Sequence, residues 1–150
     1  MRIFSVVPLL AVPVLIYNVI AWSGTVVSDP YYVLSRMDAV LVSLPMASGA
    51  TWIITPGHVL LTVSMSLLFL ETLKATRTDA VAVWNHALSM LLFVLCLVEF
   101  LLFGAFATSV FFLLLLMCLL DTMQGFMITI RVSRRDISVG AGMDGAAFID

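Results

Sequence analysis

Residues 80–130 read AVAVWNHALSMLLFVLCLVEFLLFGAFATSVFFLLLLMCLLDTMQGFMITI. The stretch holds two charged residues, Glu99 and Asp121, and a short Gly-Ala-Phe turn at 104–106 divides it. Each half is at least as long as the ~20 apolar residues that a helix needs to cross the hydrocarbon core of a bilayer. The stretch therefore predicts two membrane-spanning helices, over about 80–103 and 107–130.

The same apolar bias extends over the whole chain. Its 150 residues are 63% hydrophobic and only 11% charged, and the mean hydropathy is +1.18. A typical soluble domain is about half apolar and about a quarter charged. The composition therefore indicates an integral membrane protein with the lipid bilayer as its first partner. It argues against a soluble enzyme, a disordered regulator and a nucleic-acid-binding protein.

Two further apolar segments, over about 3–22 and 57–75, bring the number of predicted spans to four. The first could be mistaken for a secretory signal. However, it is longer than a normal signal core, contains Pro8 and Pro13, and lacks an A-x-A cleavage site, so we interpret it as a signal anchor. The expected fold is an all-α, four-helix transmembrane domain over 1–132, followed by a polar, loosely ordered cytoplasmic tail over 133–150.

The basic residues predict the orientation, because cytoplasmic loops carry an excess of Lys and Arg. Four spans with both termini in the cytoplasm leave only Arg36 outside. Six basic residues then fall inside: Arg2, Lys74, Arg77, Arg131, Arg134 and Arg135. The last three form a stop-transfer signal and a contact for anionic lipid headgroups. We expect a multi-pass protein of a bacterial inner membrane, with both termini cytoplasmic.

The connection over 24–55 is much longer than the two tight turns that follow it. Two short apolar runs, 39–44 and 52–54, flank a Pro/Gly/Ser-containing turn and favour a β-hairpin lying on the outer membrane surface. A short interfacial helix is the alternative, because Ser35-Arg36-Met37-Asp38 resembles a capping box. A re-entrant segment is a third option. We predict a small outside cap formed by a hairpin or a short helix.

Polar residues within the predicted spans are the candidate functional residues, because an ionisable group in a membrane usually faces protein or water. The candidates are Asp121, Gln124, Glu71, His86, His58 and Glu99, with Asn18 as a further polar group on the first span. In an antiparallel hairpin of the second and third spans, residues equally far from the turn lie at the same depth. This places His58 level with Glu99, and Glu71 level with His86.

Helix geometry limits these two His/Glu pairs. The two positions on each helix are thirteen residues apart, which turns them by about 220° relative to each other. At most one pair can therefore lie in the seam between straight helices. The other pair would face another span or a partner protein. In the alternative interpretation, all four groups sit near the span ends and reach headgroups or water.

Asp121 lies deeper than these groups, about 15 Å from the cytoplasmic end of its span by helix rise. Cys118 and Gln124 share its face at a spacing of three residues, and Gly125 is close by. Such a face can approach and hydrogen-bond to another helix. Asp121 is expected to be either protonated and hydrogen-bonded inside the bundle or in contact with a partner subunit.

The sequence predicts no catalytic residues, no metal site and no bound cofactor. It contains no HExxH, CxxC, phosphate-binding loop or nucleophile-elbow motif. Cys96 and Cys118 lie in apolar runs and are typical of small core residues. His58 and His86 belong to opposite membrane halves, about 20 Å apart by helix rise, so one chain cannot bind a b-type haem through both.

Three functional hypotheses follow. The first is a non-enzymatic accessory or assembly subunit of a larger inner-membrane complex whose other integral subunits are its partners; an energy-transducing membrane is one fitting setting. The second is a small oligomeric proton or ion channel or transporter, in which the five ionisable candidates form a relay. The third and weakest is binding of a pigment, a quinone or a lipid through His58 or His86.

Overall fold

Helices dominate the structure, which is a computed structural model. It describes residues 7–27, 29, 31–74 and 80–144. Side chains are described over 7–25, 29, 31–73 and 84–126. The helices are α1 (Ala11–Val27), α2 (Tyr32–Met37), α3 (Pro56–Lys74), α4 (Ala80–Leu102) and α5 (Ser109–Asp144). The strands β1 (Val42–Pro45) and β2 (Thr51–Ile54) pair antiparallel, and a 3₁₀ turn (Gly104–Phe106) links α4 to α5.

Three helices in the described part of the chain are long and apolar enough to cross a membrane. The qualifying segments are Pro56–Leu73, Trp84–Leu102 and Ser109–Phe126. A mostly helical chain with three candidate membrane-spanning helices is thus confirmed, and these apolar helices are consistent with a membrane-embedded protein. Helix α3 begins one residue before the predicted start at 57, and the predicted end at 75 lies outside the described residues. Pro56 opens that helix, where a missing backbone N–H costs nothing.

The helix α1 is shorter than the predicted first span. Residues 3–6 of that prediction lie outside the described residues, and Val7–Leu10 form a turn rather than a helix. The amides of Ala11 and Val12 bond to the carbonyls of Pro8 and Leu9, both at 3.1 Å. Pro13 follows in the first helical turn, where proline is tolerated. The predicted helical start at Ile3 is therefore wrong over Val7–Leu10, and Ala11–Thr25 is a shorter apolar helical segment than the other three.

The long connection contains both of the predicted alternatives, a short helix and a hairpin. The helix α2 ends at Met37 with Asp38 as its C-cap, so Ser35-Arg36-Met37-Asp38 closes a helix instead of opening one. The β1–β2 loop closes through the Met46 amide, which donates to the Ala50 carbonyl at 2.9 Å. Gly49 adopts a φ of 81°, which only glycine enters without strain.

The helix α5 continues well past the apolar segment. It runs to Asp144, so the expectation of a loosely ordered tail is wrong up to that residue. The sequence over 109–144 contains no proline, and isolated glycines weaken a helix by about 1 kcal/mol without ending it. Residues 145–150 lie outside the described residues.

The helix α5 is the centre of the packing, with α3 and α4 against it and α1 against the 3₁₀ turn. Tyr17 of α1 is fully buried and stacks at 4.8 Å on Phe111 and 5.7 Å on Phe106. Its hydroxyl lies 2.6 Å from the Thr108 hydroxyl. The Thr108 hydroxyl also accepts from the Phe111 amide at 3.2 Å, which caps the start of α5.

Gly57 marks the close approach of the start of α3 to α5. A Cβ there would lie 2.8 Å from the Val110 Cγ2 and 3.2 Å from the Met37 carbonyl oxygen. Gly57→Ala is expected to lower the free energy of unfolding by about 1 kcal/mol through overpacking. Reversible unfolding in mixed micelles measures it. Gly104→Ala, whose Cβ would meet nothing within 4 Å, is the matched control, and equal effects of the two would contradict the prediction.

Candidate functional site

Polar side chains join the four long helices at two levels. We call the level far from the hairpin the distal layer and the level near it the proximal layer. The distal layer comprises Leu9, Glu71, Thr72, Asn85, His86, Gln124 and Gly125. The proximal layer comprises Tyr17, Asn18, Trp22, Glu99 and Thr108.

Glu71 of α3 is the centre of the distal layer and is 1% exposed. Its Oε2 accepts a hydrogen bond from the Leu9 amide, just before α1, at 2.9 Å. Its Oε1 accepts from Asn85 Nδ2 of α4 at 2.6 Å. The Leu9 amide is available because the turn at Pro8–Leu10 leaves it outside the helical ladder. One carboxylate thus ties the starts of α1 and α4 to the end of α3.

Two contacts extend the distal layer to α5. The Thr72 hydroxyl donates to Gln124 Oε1 at 2.8 Å. The His86 ring of α4 packs directly on Gly125, where any Cβ would overlap the ring. It also makes an edge contact with Phe126 at 4.9 Å. Asn85 Oδ1 and His86 Nδ1 are buried polar atoms without a hydrogen-bond partner among the described residues.

Asp121 lies one helical turn from Gln124 toward the proximal layer. It is 7% exposed, and its neighbour Thr122 is 5% exposed. The Thr122 hydroxyl bonds to the Cys118 carbonyl of its own helix at 2.9 Å and approaches the Ser89 carbonyl of α4 at 3.3 Å. The region around Asp121 is therefore buried against α4.

In the proximal layer, Glu99 of α4 binds α1. Asn18 Nδ2 donates to Glu99 Oε2 at 3.1 Å, and Trp22 Nε1 donates to Asn18 Oδ1 at 3.1 Å. The Trp22 ring also makes an edge contact with Phe103 at 5.5 Å. This layer therefore fixes α1 against the end of α4.

Apolar and small side chains separate the two layers. Asn85 and Glu99 lie fourteen residues apart on α4, or about 21 Å along its axis. The buried residues between the layers include Leu60, Leu114, Cys96 and Cys118. The thiols of Cys96 and Cys118 contact each other across the α4–α5 seam. This packing agrees with their interpretation as core residues.

His58 is a helix-capping residue at the start of α3. Its amide donates to the Thr55 hydroxyl at 3.3 Å, and its Nδ1 lies 3.3 Å from the Thr55 amide and 3.2 Å from the hydroxyl. These reciprocal contacts resemble a capping box, with histidine in place of glutamate. The side chain is exposed.

The structure gives both glutamates partners other than the histidines paired with them by depth. The carboxylate of Glu71 binds Asn85 instead of His86, and that of Glu99 binds Asn18 instead of His58. The residue of α4 that binds Glu71 is one position from the predicted His86. The rotation of α4 about its axis turns Asn85, and not His86, toward Glu71. Asn85 is not among the predicted candidates, although the signal that singles out Gln124 and Asn18, an amide within a predicted span, applies to it equally.

A shallow groove of about 660 Å³ runs along the outer face of α3 and reaches α5. Met65, Phe69 and Leu70 are among the apolar residues that line it, and its polar members are Ser66, Thr72 and Gln124. The predicted headgroup contacts Arg131, Arg134 and Arg135 lie on α5 outside the residues with described side chains. In the described ranges, no group of three or more His, Cys, Asp or Glu residues is placed to hold a metal ion.

Searches among protein family models, curated proteins and solved structures find no match for this chain. The site must therefore be judged on its chemistry alone. Among the described residues, the hydrogen bonds of Glu71 and Glu99 come from amide donors of other helices or of the turn before α1, which is the pattern of helix-joining hydrogen bonds in membranes.

Proposed function

We propose that this chain is a small non-enzymatic accessory or assembly subunit of a larger bacterial inner-membrane complex. The supporting observation is the open apolar face of α4. Only 11% of the segment Trp84–Leu102 is buried within the chain. Among the long helices, α4 packs mainly against α5. The rest of its circumference is available to lipid and to a partner helix.

The spacing on this face suits helix–helix packing. Leu91, Val94, Leu95, Val98 and Leu102 are all at least 42% exposed. They recur at intervals of three and four residues, which lines them up along one side of a helix. We propose this side of α4 as the contact for a transmembrane helix of a partner subunit. The polar layers then hold the four helices together, so that the exposed side of α4 faces the partner helix.

The proposal includes four spans with both termini in the cytoplasm and the hairpin outside. Single cysteines introduced at Ser48 in the hairpin loop and at Gly142 near the C-terminus are expected to react with a membrane-impermeant maleimide from opposite sides of the membrane. Intact and permeabilised cells distinguish the two sides. Labelling of both positions from the same side would contradict the topology.

The experiment for the accessory role uses the tagged full chain, purified from native membranes in mild detergent. We expect stoichiometric recovery with a defined integral membrane complex. Val98→Trp on the open face of α4 should lower that recovery several-fold. Val63→Trp, at a similarly exposed valine on α3, should not. Purification of the chain alone, or equal effects of the two variants, would contradict the proposal.

A second candidate function is proton or ion conduction by an oligomer. It is favoured by two buried carboxylic acids, Glu71 and Asp121, in the same half of the bundle. Asn85 Oδ1 and His86 Nδ1 add buried polar atoms that a water molecule could bridge. A relay would also have to pass the mainly apolar packing between the two layers. Conduction would be supported by proton or ion flux through the purified protein that the Asp121→Asn substitution abolishes.

A further inference from the structure

The β1–β2 hairpin has one apolar and one more polar face. Cross-strand partners share a face, and successive residues alternate between faces. The pairs Val42–Ile54 and Leu44–Trp52 therefore lie on one face, which we call the apolar face. The pairs Ser43–Ile53 and Pro45–Thr51 lie on the opposite face.

The chain leaves the apolar face uncovered. Val42, Leu44 and Trp52 are 48%, 41% and 53% exposed. A two-stranded hairpin is marginally stable in water, and this one presents large apolar side chains. Something outside the described part of the chain must therefore cover it.

The chemistry around the hairpin identifies the cover as a lipid surface. Residues 39–54 contain no charged side chain that could select an oppositely charged protein. Trp52 makes no ring contact or side-chain hydrogen bond with the described residues, so its indole N–H is open to an acceptor. Tryptophan is enriched at membrane interfaces because its ring is apolar and its N–H bonds to headgroup oxygens.

The position of the hairpin brings it to that surface. Strand β2 ends at Ile54, and the membrane-length helix α3 begins at Pro56. Leu41, just before β1, donates its amide to the Ile54 carbonyl at 2.9 Å, which holds the base of the hairpin at the start of α3. The hairpin is thus attached one residue before the start of the membrane-length helix α3.

We propose that this hairpin is an interfacial anchor that lays Val42, Leu44, Trp52 and Ile54 into the lipid headgroup region beside the start of α3. Ser43 and Thr51 then face water, together with Pro45 and the exposed Ile53 on the same face. The proposal is independent of the accessory role, because any four-span function leaves this face to be covered. It does require that α3 crosses the membrane.

The test measures tryptophan fluorescence of the full chain in phosphatidylcholine/phosphatidylglycerol vesicles. Trp22→Phe and Trp84→Phe leave Trp52 as the single tryptophan, and both replacements keep an aromatic ring. We expect strong quenching by lipids brominated in the upper acyl chain and weak quenching by aqueous acrylamide. Stronger quenching by acrylamide than by brominated lipid would overturn the proposal. So would protection from both quenchers, because protein would then cover Trp52.

A matched pair of variants tests the choice of face. In a background that also carries Trp52→Phe, a single tryptophan is placed by Leu44→Trp or Ser43→Trp. The two exposed positions are neighbours in sequence but lie on opposite faces, and neither packs in the core. The tryptophan at position 44 should be quenched several-fold more by brominated lipid than that at 43. Equal quenching would overturn the proposed orientation.

Discussion

Glu71→Ala is expected to lower the free energy of unfolding by about 3 kcal/mol, the largest effect of any single substitution considered for this chain. The substitution removes the acceptor of two hydrogen bonds, from the Leu9 amide and from Asn85 Nδ2. A buried donor left without a partner costs about 1–3 kcal/mol. Because both donors lose their acceptor and Glu71 is only 1% exposed within the protein, the two penalties should add. Reversible unfolding in mixed micelles measures the loss.

Glu71→Gln separates the shape of the side chain from its acceptor capacity. Glutamine keeps one carbonyl oxygen, but it turns an NH₂ group toward one of the two donors. We therefore expect about half of the loss caused by alanine. Glu99→Ala is the matched control, because Glu99 is less buried and its described bond is a single one to Asn18. If Glu71→Ala unfolds at the same midpoint denaturant concentration as the wild type, the two hydrogen bonds of Glu71 do not stabilise the bundle.

A double-mutant cycle isolates the bond between α3 and α4. Combining Glu71→Ala with Asn85→Ala should yield a coupling energy of about 1 kcal/mol, the net value of one hydrogen bond. Additive effects of the two substitutions would mean that this contact does not stabilise the bundle.

Gly125→Ala is expected to be the second most destabilising change, at about 2 kcal/mol. The added Cβ would lie 2.7 Å from His86 Cγ and 2.9 Å from His86 Cε1, and it would overlap Nδ1 more closely still. Overpacking of this kind costs about 1–3 kcal/mol because the ring or the helix must move. The overlap involves several ring atoms, whereas Gly57→Ala meets one methyl group and one carbonyl, so the effect should exceed that of Gly57→Ala.

Rescue makes this prediction specific. His86→Ala removes the ring atoms that the new methyl group meets. The double variant Gly125→Ala/His86→Ala should therefore be more stable than Gly125→Ala alone. Gly104→Ala again serves as the neutral control. A double variant no more stable than Gly125→Ala would show that His86 is not the obstacle.

The helices were predictable to the extent that local signals mark their ends. Pro56 predicts the start of α3, and the Gly-Ala-Phe turn at 104–106 predicts the break between α4 and α5. The start of α1 was misplaced because hydropathy alone does not distinguish the turn at Pro8–Leu10 from a helix. The end of α5 was misplaced because the loss of apolar residues marks a membrane boundary, whereas a helix ends only where its backbone bonds end.

The polar layers were predictable in depth but not in partnership. Distance from the turn places Glu71 level with His86 to within one residue. Which of Asn85 and His86 faces Glu71 depends on the rotation of α4, which its packing on α5 determines through His86 and Gly125. The contacts with α1 could not be predicted either. No local sequence signal indicates that Leu9 and Asn18 supply hydrogen-bond donors to Glu71 and Glu99.

We propose that the buried polar residues hold the bundle together and do not carry protons across the membrane. Proton flux in liposomes containing the purified chain tests it most directly, with a pH-sensitive dye inside and a potassium–valinomycin potential as the driving force. We expect flux no greater than in protein-free liposomes, for the wild type and for Asp121→Asn alike. Flux in the wild type that disappears in a correctly folded Asp121→Asn variant would contradict it.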